Sequence, residues 1–522
     1  MILASDSNRR FPAVITVALL LAALTWHWYC ASKNWDSAGL SGHEFRQTQT
    51  ALSVQGIIED GFRIDYSTPV LGKPWAIPME FPIYQGIVAH ICQISGLPIA
   101  QVGRGVSLFF FWLTLPALLL VLREAKFSYS AGCLALIPVI LAPIYLFYSR
   151  AVLIESMALA GAAWFLVGVL RYREKPHWST LLLALSAGTV AVLVKPTTWS
   201  AFCVPWAILF IRDAWKAWRG KRWPTGLLEQ ALLIGVPLLV IAFGWIGIAD
   251  GIKALNPNAN FLLSSSLHEF NYGTWEQRFS LQSWRTMIEH CRTNIGPIWM
   301  IVLGLGVMVA LRPSRLTGLV GVIAFLVPPL TFFNLYLLHD YYFYANSVFL
   351  ILAIGATLAT LWDRSSSWSW PKITALIILG AVTWGQANSH RATLLPQQLG
   401  TSNGDSAEVL MARALTAPDE VVVMHSAGWS SGVAYYSGRR FLTIPDFQLY
   451  FQREKVYEAV SQLADEKVTL LLLSADVLNR PEWAAERIQQ LGFMAESFAT
   501  ITGSASAHTT KKLHDRYQNL TR

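Results

Sequence analysis

Charged residues are scarce in this chain. Asp, Glu, Lys and Arg together make up 14% of its 522 residues, whereas an ordinary soluble domain has roughly a quarter. Too little polar surface is therefore available to cover a chain of this length in water. The composition excludes a soluble globular enzyme.

Cysteine pairs and short catalytic motifs are also lacking. The five cysteines form no Cys-x-x-Cys pair and no regular spacing, which excludes a secreted disulfide scaffold. There is no His-Glu-x-x-His pattern, phosphate-binding glycine loop or Ser-His-Asp signature. A divalent metal is not favoured, because no fixed ligand spacing links the residues that would have to converge on it, namely His43, Glu44, Glu80, His339 and Asp340.

Long apolar blocks dominate what is present. Hydrophobic residues make up 54% of the chain, with 22 Trp, 26 Phe and 17 Tyr. The blocks are about 18 to 24 residues long, the length that crosses a bilayer as a helix. We predict about eleven transmembrane helices, near residues 11–30, 105–122, 131–148, 151–170, 179–195, 198–212, 227–249, 296–311, 317–336, 343–362 and 372–388.

The net charge of +8 is distributed as in a membrane protein. Most Lys and Arg residues lie in short connectors, and a cytoplasmic N-terminus would place all of these connectors on the cytoplasmic side. This is the positive-inside pattern of membrane proteins and not the basic surface of a nucleic-acid-binding protein. The first apolar block lacks a small-x-small cleavage site, so we interpret it as an uncleaved anchor. An odd number of spans then places the C-terminus outside.

Residues 1–390 are expected to form the transmembrane module, with two long outer loops. The first, 31–104, contains two short apolar stretches that we expect to be interfacial helices, and the second is 250–295. Residues 395–505 have the composition of a small extracytoplasmic α/β domain. Its predicted strands are 420–424 and 468–473, its predicted helices are 454–466 and 482–491, and a polar tail covers 506–522.

Ionisable residues at membrane depth are costly, so those near the outer helix ends are candidates for function. Glu155 lies about one turn into a predicted span, just after Arg150. The two residues either form a local ion pair that anchors the helix or face an outward cavity. Lys195 ends an apolar span, and either its ammonium reaches up to the interface or it binds a phosphate at headgroup depth. Arg46 and Lys73 are competing phosphate binders.

The first outer loop brings a histidine, a carboxylate and an arginine within two helical turns, in His43-Glu44-Phe45-Arg46. This stretch is either a solvated loop face or part of a site. Glu80 lies between two prolines at the start of a predicted interfacial helix. It is either merely a charge at the N-terminus of that helix or part of the site. A late outer connector contains His339, Asp340 and Tyr341.

These motifs resemble the GT-C superfamily of glycosyltransferases, and within it glycosyltransferase family 39, which includes protein O-mannosyltransferases and aminoarabinose lipid A transferases. The resemblance covers about 31–350. Its most telling stretches are His43-Glu44-x-Arg46-Gln47-x-x-Thr50-Ala51 and Asn271-Tyr272-Gly273-Thr274-Trp275-Glu276-Gln277-Arg278. Members of such families transfer a sugar from a polyprenyl-phosphate donor on the outer leaflet side.

The resemblance implies that Glu44 is the catalytic base or acceptor-positioning carboxylate. It also implies that Glu80 and Glu155 are further acidic site residues, and that Arg150 and Lys195 lie near the donor phosphate. We also expect the remaining candidates of the outer loops to bind substrate: His43, Arg46, His339, Asp340 and Tyr341.

The sequence therefore predicts a polytopic glycosyltransferase of the inner or plasma membrane. Its expected partners are a polyprenyl-phosphate-linked sugar and a lipid, protein or glycan acceptor. The main alternative is a secondary transporter or flippase, which predicts inverted repeats and helices broken at the midplane. A third reading is a non-catalytic assembly factor whose outer domain binds a partner.

Overall fold

The computed structural model describes residues 3–221, 225–365, 368–474, 477, 499–501 and 505–509. The described chain is mostly helical. The first eleven helices are α1 (Leu3–Ser32), α2 (Glu44–Asp60), α3 (Ile83–Ser95), α4 (Ile99–Glu124), α5 (Tyr129–Leu141), α6 (Pro143–Tyr148), α7 (Glu155–Glu174), α8 (Trp178–Val194), α9 (Pro196–Arg219), α10 (Thr225–Gln230) and α11 (Val236–Lys253). A π-helical turn, Ala231–Gly235, joins the last two.

The second half of the chain contains the remaining helices and a sheet. The helices are α12 (His268–Tyr272), α13 (Trp275–Phe279), α14 (Leu281–Asn294), α15 (Ile298–Ala310), α16 (Arg312–Thr331), α17 (Phe333–Leu338), α18 (Phe343–Asp363), α19 (Trp370–Ala392), α20 (Leu394–Leu399), α21 (Ala407–Leu415), α22 (Gly432–Ser437), α23 (Asp446–Phe451) and α24 (Arg453–Ser461). The strands are β1 (Val421–Ser426), β2 (Arg440–Pro445), β3 (Val468–Ser474), β4 (Ala499–Ile501) and β5 (Ala505–Thr509). Short 3₁₀ turns cover Pro257–Leu262, Asp340–Tyr342 and Asn403–Asp405.

Each of the eleven predicted spans falls on helical structure. Within the described residues, four helical segments are long and apolar enough to cross a membrane: Pro12–Ser32, Ile99–Glu124, Thr225–Lys253 and Asp340–Asp363. A fifth results if α14 and α15, which are bent by 86°, are counted as one span. The chain thus has the apolar helices of a multi-pass membrane protein, while the number of eleven and the orientation stay predictions.

Proline explains where several predicted spans break. The segment 131–148 divides at Ala142, whose ψ of 137° is extended. Ala142 precedes Pro143, and the proline ring disfavours the helical conformation of the residue before it. Lys195, between the predicted spans 179–195 and 198–212, likewise precedes a proline and has an extended backbone.

The chain divides into two compact units, and the first contains most of the predicted spans. It comprises residues 1–36, 103–245 and 268–399. Within it α18 is buried on nearly all sides. Small residues let α7 and α8 pack closely, since a Cβ on Gly168 would lie 2.6 Å from the backbone nitrogen of Ala184. Close approach at small residues is the usual way in which membrane helices associate.

The second unit comprises residues 37–102, 246–267 and 400–522. It therefore joins the first outer loop and part of the second to the predicted C-terminal domain, which the sequence analysis treated as separate. Its sheet has the order β2-β1-β3-β5-β4, in which β2, β1 and β3 are parallel and the other two are antiparallel. Alternate residues of β1 face opposite sides: Val422 packs on the side of Leu71 and Ile77, and Val423 on the side of Val456.

The first loop extends this sheet. At the free edge of β2, Phe441 N donates to Pro69 O at 3.0 Å and Thr443 N donates to Val70 O at 2.8 Å. Asn258 Nδ2 donates to Thr443 O at 2.8 Å, which ties the second loop to the same strand. The hydrogen-bonding groups of an edge strand are thereby satisfied by segments far away in sequence.

The predicted strands of the α/β domain correspond to β1 and β3, and the predicted helix 454–466 corresponds to the shorter α24. The predicted helix 482–491 lies outside the described residues. Three strands were not predicted, namely β2, β4 and β5. Both short apolar stretches of the first loop are helical, in α2 and α3.

Candidate functional site

Lys195 lies at a break between two helices of the first unit. α8 ends at Val194 and α9 begins at Pro196, so Lys195 has an extended backbone with φ −157° and ψ 93°. The following proline disfavours a helical conformation at Lys195. The local sequence Val-Lys-Pro therefore places one lysine at the end of an apolar helix, where its backbone nitrogen donates the last hydrogen bond of α8, to Ala191 O.

The Lys195 side chain forms a buried ion pair with Glu155, the first residue of α7. Its Nζ donates to Glu155 Oε1 at 2.7 Å, and the two side chains are 10% and 2% exposed. Glu155 Oε2 is also buried and has no hydrogen-bond partner among the described residues. The Lys195 ammonium lies 5.0 Å from the ring centre of Tyr341 and 4.2 Å from that of Tyr342. These four residues are the Lys195 cluster.

This cluster brings together three of the predicted site residues, Glu155, Lys195 and Tyr341. Asp340 lies beside it: Tyr148 Oη donates to its Oδ1 at 3.1 Å, and Asn294 Nδ2 donates to its Oδ2 at 3.3 Å. His339 packs against Tyr341, with 5.5 Å between ring centres. Two aromatic faces, of which that of Tyr341 is buried, and a carboxylate thus hold one lysine in place, where cation–π attraction adds to the ion pair.

Of the two alternatives for Arg150 and Glu155, the local ion pair does not form. Among the described residues Glu155 pairs with Lys195, and Arg150 instead donates from Nη2 to Asn34 O at 3.2 Å. The residues between Arg150 and the first turn of α7 form a separate turn, so the two side chains do not share one helix face.

Arg150 is a buried cation without a carboxylate. The residue is 6% exposed, no acidic side chain in the described chain forms an ion pair with it, and its Nε has no hydrogen-bond partner there. Burial, and then repulsion by the Arg104 guanidinium, lowers the pKa of Arg150 to about 9. A buried charge without a counterion is costly, and this one would be compensated by a bound anion.

His43 and Glu44 lie in the second unit, where they begin α2. His43 has a left-handed backbone with φ 46°, which costs a non-glycine residue about 1 kcal/mol. Glu44 Oε1 accepts a hydrogen bond from the backbone nitrogen of Asn403 at 2.9 Å. Tyr436 also hydrogen-bonds the Glu44 carboxylate, and burial together with that carboxylate raises the pKa of Tyr436. The α/β part of the unit therefore fixes the orientation of Glu44.

The second unit brings Arg46 and Glu80 together. Arg46 Nη2 lies 3.6 Å from Glu80 Oε2, and Gln85 Nε2 donates to Glu80 Oε1 at 2.8 Å. Arg46 also donates to Gln49. Glu80 lies three residues before the first residue of α3 and is 7% exposed. Its contacts are with side chains, so it is more than a charge at a helix N-terminus.

Lys73, the other predicted phosphate binder, has acidic partners in the same unit. Its Nζ lies 2.7 Å from Asp465 and 3.0 Å from Glu466. These carboxylates raise the pKa of Lys73. The lysine is thus engaged in an ion-pair network with the α/β sheet, which weakens its candidacy as a phosphate ligand.

Sequence reasoning missed several polar residues of the first unit. Tyr148 and Asn294 hold Asp340, and Tyr342 covers Lys195. Tyr148 and Tyr342 both stand next to predicted candidates in sequence, so a search for aromatic neighbours of Arg150 and Tyr341 would have found them. No local signal marks Asn294, which reaches Asp340 across 46 residues.

One family model matches part of this chain, and several solved structures have a similar fold. The model for dolichyl-phosphate-mannose-protein mannosyltransferases matches residues 100–248. The structure of ArnT from Cupriavidus metallidurans bound to undecaprenyl phosphate aligns over 95% of this chain and 97% of that chain, with a TM-score of 0.58 and 13% identity. The chain has the GT-C fold.

Two further structures agree with that assignment. The oligosaccharyltransferase AglB from Archaeoglobus fulgidus, in complex with an inhibitory peptide and a dolichol-phosphate, aligns over 94% of this chain and 74% of that chain, with a TM-score of 0.57 and 13% identity. The arabinofuranosyltransferase AftD from Mycobacteria aligns over 90% of this chain and 35% of that chain, with a TM-score of 0.50 and 12% identity. The comparison with curated proteins gave no match. The predicted resemblance to the GT-C superfamily is confirmed at the level of the fold.

Proposed function

We propose that this GT-C protein is a glycosyltransferase that moves a sugar from a polyprenyl-phosphate donor to a lipid, protein or glycan acceptor on the extracytoplasmic face of the membrane. Two similar structures hold lipid phosphates, undecaprenyl phosphate in ArnT and dolichol-phosphate in AglB. At 13% identity they support the fold, and the donor class is our extension of it to this chain.

The single observation that carries the proposal is the buried Lys195 ammonium in the Lys195 cluster. Among the described residues its one hydrogen-bond partner is Glu155. An ammonium has three N–H donors, so two remain for an anionic ligand. Lys195 ends an apolar helix whose outer end is predicted to meet the lipid headgroups. A lipid phosphate keeps its tail in the bilayer and would present its oxygens at that depth.

Arg150 supports the same chemistry from another position in the first unit. Its guanidinium is buried without a carboxylate among the described residues. Positive charge that is already fixed in place stabilises the phosphate as it leaves, because no solvent has to reorganise during the reaction. We therefore assign Lys195 and Arg150 to the donor phosphate. We propose that these two cations act without a metal ion, so we expect transfer to survive treatment with a chelator.

Glu44 is our candidate for the general base. In an inverting transfer the carboxylate takes the proton of the acceptor hydroxyl, and the acceptor oxygen attacks the anomeric carbon. The bond from that carbon to the phosphate oxygen breaks, and polyprenyl phosphate leaves with the electron pair. A positioned base contributes typically about 10²- to 10⁴-fold to such a step. Asn403 and Tyr436 hold the Glu44 carboxylate in one orientation.

The first experiment identifies the product. Glycolipids and glycoproteins from a deletion strain and its parent are compared by mass spectrometry, and the species that disappears gives the sugar and the acceptor. Membranes that contain the protein are then assayed for transfer of that sugar. We expect product formation and release of polyprenyl phosphate to rise together. A flippase would move the donor without breaking the sugar–phosphate bond, so unchanged donor on the opposite leaflet would refute the proposal.

The second experiment tests Glu44. We expect Glu44→Gln to reduce transfer at least about 100-fold without lowering the amount of protein in the membrane, because the amide cannot accept the proton. Glu59→Gln is the matched control, since Glu59 is an exposed carboxylate on the same helix. Full activity of Glu44→Gln would overturn the base assignment. Loss of function on deleting residues 395–522, with Glu44→Gln silent, would favour the assembly-factor reading.

A further inference from the structure

A small cavity in the first unit lies between the end of α1, the last turn of α19 and the first turn of α20. Its volume is about 170 Å³, below the range of roughly 300–1,000 Å³ that holds drug-sized ligands. Such a space suits a compact group. It is lined by Trp26, Tyr29, Cys30, Lys33, Ala387, His390, Arg391 and Leu395.

His390 contributes a buried imidazole to the lining of the cavity. The residue is 3% exposed, and its Nε2 is buried without a hydrogen-bond partner among the described residues. Leaving a polar atom buried and unpaired costs roughly 1–3 kcal/mol, so such atoms usually mark a place where a ligand or water binds. As the Nε2–H tautomer, this imidazole has one N–H donor that no described residue uses.

Two cations accompany the histidine. Lys33 and Arg391 line the same cavity, and neither forms an ion pair with a carboxylate in the described parts of the chain. Lys33 Nζ donates to Tyr29 Oη at 2.7 Å and lies 4.2 Å from the centre of that ring. The remaining N–H groups of both cations stay available to an acceptor. Lys33, His390 and Arg391 therefore all bring donors to the cavity lining, and two of them carry positive charge.

The cavity wall is held in place by the backbone. Gln398 Nε2, on α20, donates to Cys30 O at 2.8 Å and to Lys33 O at 3.1 Å. This side chain thus acts as a cap for carbonyl groups at and just beyond the C-terminus of α1. The Lys33 backbone is thereby fixed relative to α20.

From this geometry we infer that the cavity of Lys33, His390 and Arg391 binds a phosphate group. Phosphate suits a cavity lined by these donor residues, two of them charged, and charge-assisted hydrogen bonds are about twice as strong as neutral ones. Trp26 and Tyr29 are 38% and 49% exposed at the same helix end. Aromatic residues of this kind concentrate at the lipid headgroups, where anionic phospholipids supply a phosphate. Free phosphate offers the same chemistry.

The test uses the full-length protein, stripped of lipid in detergent. Binding of short-chain phosphatidylglycerol and of inorganic phosphate is measured by the ligand-dependent rise in the midpoint of thermal unfolding. We expect the double variant Lys33→Gln, Arg391→Gln to bind at least about tenfold more weakly, because it loses two charge-assisted contacts. Arg285→Gln removes an exposed cation on α14 and should bind like the parent protein.

The outcomes separate the sources of the phosphate and the sites. Phosphatidylglycerol binding much more tightly than inorganic phosphate supports a lipid headgroup site, and equal binding supports a free phosphate site. Lys195→Gln removes the proposed contact with the donor phosphate, so binding that persists in Lys195→Gln and is weakened when Lys33→Gln and Arg391→Gln are added belongs to this cavity. Should the double variant fail to accumulate, Lys33→Gln alone is tested in the same way. Binding that is unaffected by the substitutions, or that falls equally in Arg285→Gln, would overturn the inference.

Discussion

The buried pair of Lys195 and Glu155 allows a structural role to be separated from a functional one. Lys195→Met would leave the Glu155 carboxylate 2% exposed and without its cation. Removing one partner of a buried ion pair typically costs about 3–5 kcal/mol, because the remaining charge is uncompensated. The N–O distance of 2.7 Å and the low exposure of both side chains place the pair in this class. We expect a loss of that size in the free energy of unfolding, measured by denaturation in mixed micelles.

The double variant Lys195→Met, Glu155→Leu removes both charges. Because apolar replacement of a whole buried pair is often neutral or stabilising, we expect it to regain most of the stability that Lys195→Met loses. Lys126→Met is the matched control: Lys126 pairs with Glu174, but the two side chains are 74% and 45% exposed. An exposed pair is worth about 0–1 kcal/mol, so this control should unfold almost like the parent protein.

Transfer activity is then measured for the same single and double variants. If Lys195 binds the donor phosphate, activity stays low in the double variant although stability returns. A double variant with full activity would show that the pair only holds α7 against α8, and the phosphate assignment would be refuted. A Lys195→Met variant as stable as Lys126→Met would show that Glu155 is hydrated, which would refute the reasoning about burial.

Three further predictions concern packing, acid stability and Arg150. Gly168→Ala should destabilise by about 1–3 kcal/mol in the same denaturation assay, because its Cβ would lie 2.6 Å from Ala184 N, whereas Gly244→Ala has open space and should be neutral. Burial raises the pKa of Glu466, but the cations Lys73 and Arg440 outweigh burial and lower this pKa below 4.5. The ionised Glu466 therefore stabilises the fold fully above pH 4.5, and this contribution is lost as the pH falls through the lowered pKa. Glu466→Gln should therefore unfold at a lower temperature than the parent at pH 7, with the difference disappearing in acid; an equal difference at both pH values would contradict this. Arg150→Gln removes an uncompensated buried charge, so it should raise the thermal midpoint of the ligand-free protein while weakening donor binding, and a lower midpoint would contradict the absence of a counterion.

The helices were predictable because their signal is local. Each of the eleven apolar blocks is helical, and the breaks at Ala142 and Lys195 follow from the prolines after them. The small residues that let α7 and α8 pack are visible in the sequence, but they do not state which helix is the partner. Pairing of Lys195 with Glu155 across 40 residues depends on that packing. The sequence instead favoured Arg150, which is nearer to Glu155 along the chain.

The second unit was harder to predict, since its sheet is assembled from distant segments. β2 begins with Arg440 and ends with Pro445, so it lacks the apolar run that marked β1 and β3. Its free edge is covered by Pro69 and Val70, about 370 residues earlier in the chain. This pairing is made by backbone groups, so the side chains in the sequence give little sign of it. The contact between Glu44 and Asn403 was hidden for the same reason.

The carboxylate partners of the candidate phosphate-binding lysines distinguish residues that the sequence alone does not distinguish. Lys73 and Lys195 are both lysines with carboxylate neighbours, but Lys73 has two acidic partners at a sheet edge, whereas Lys195 has one and is enclosed by Tyr341 and Tyr342. A lysine that is already compensated by two carboxylates gains little from a phosphate and would have to give up existing contacts. Lys195 keeps unused donors in a site of low dielectric, where each added contact with an anion is strong. The proposed donor site therefore depends less on how many basic residues the outer loops contain than on which of them the fold leaves incompletely neutralised.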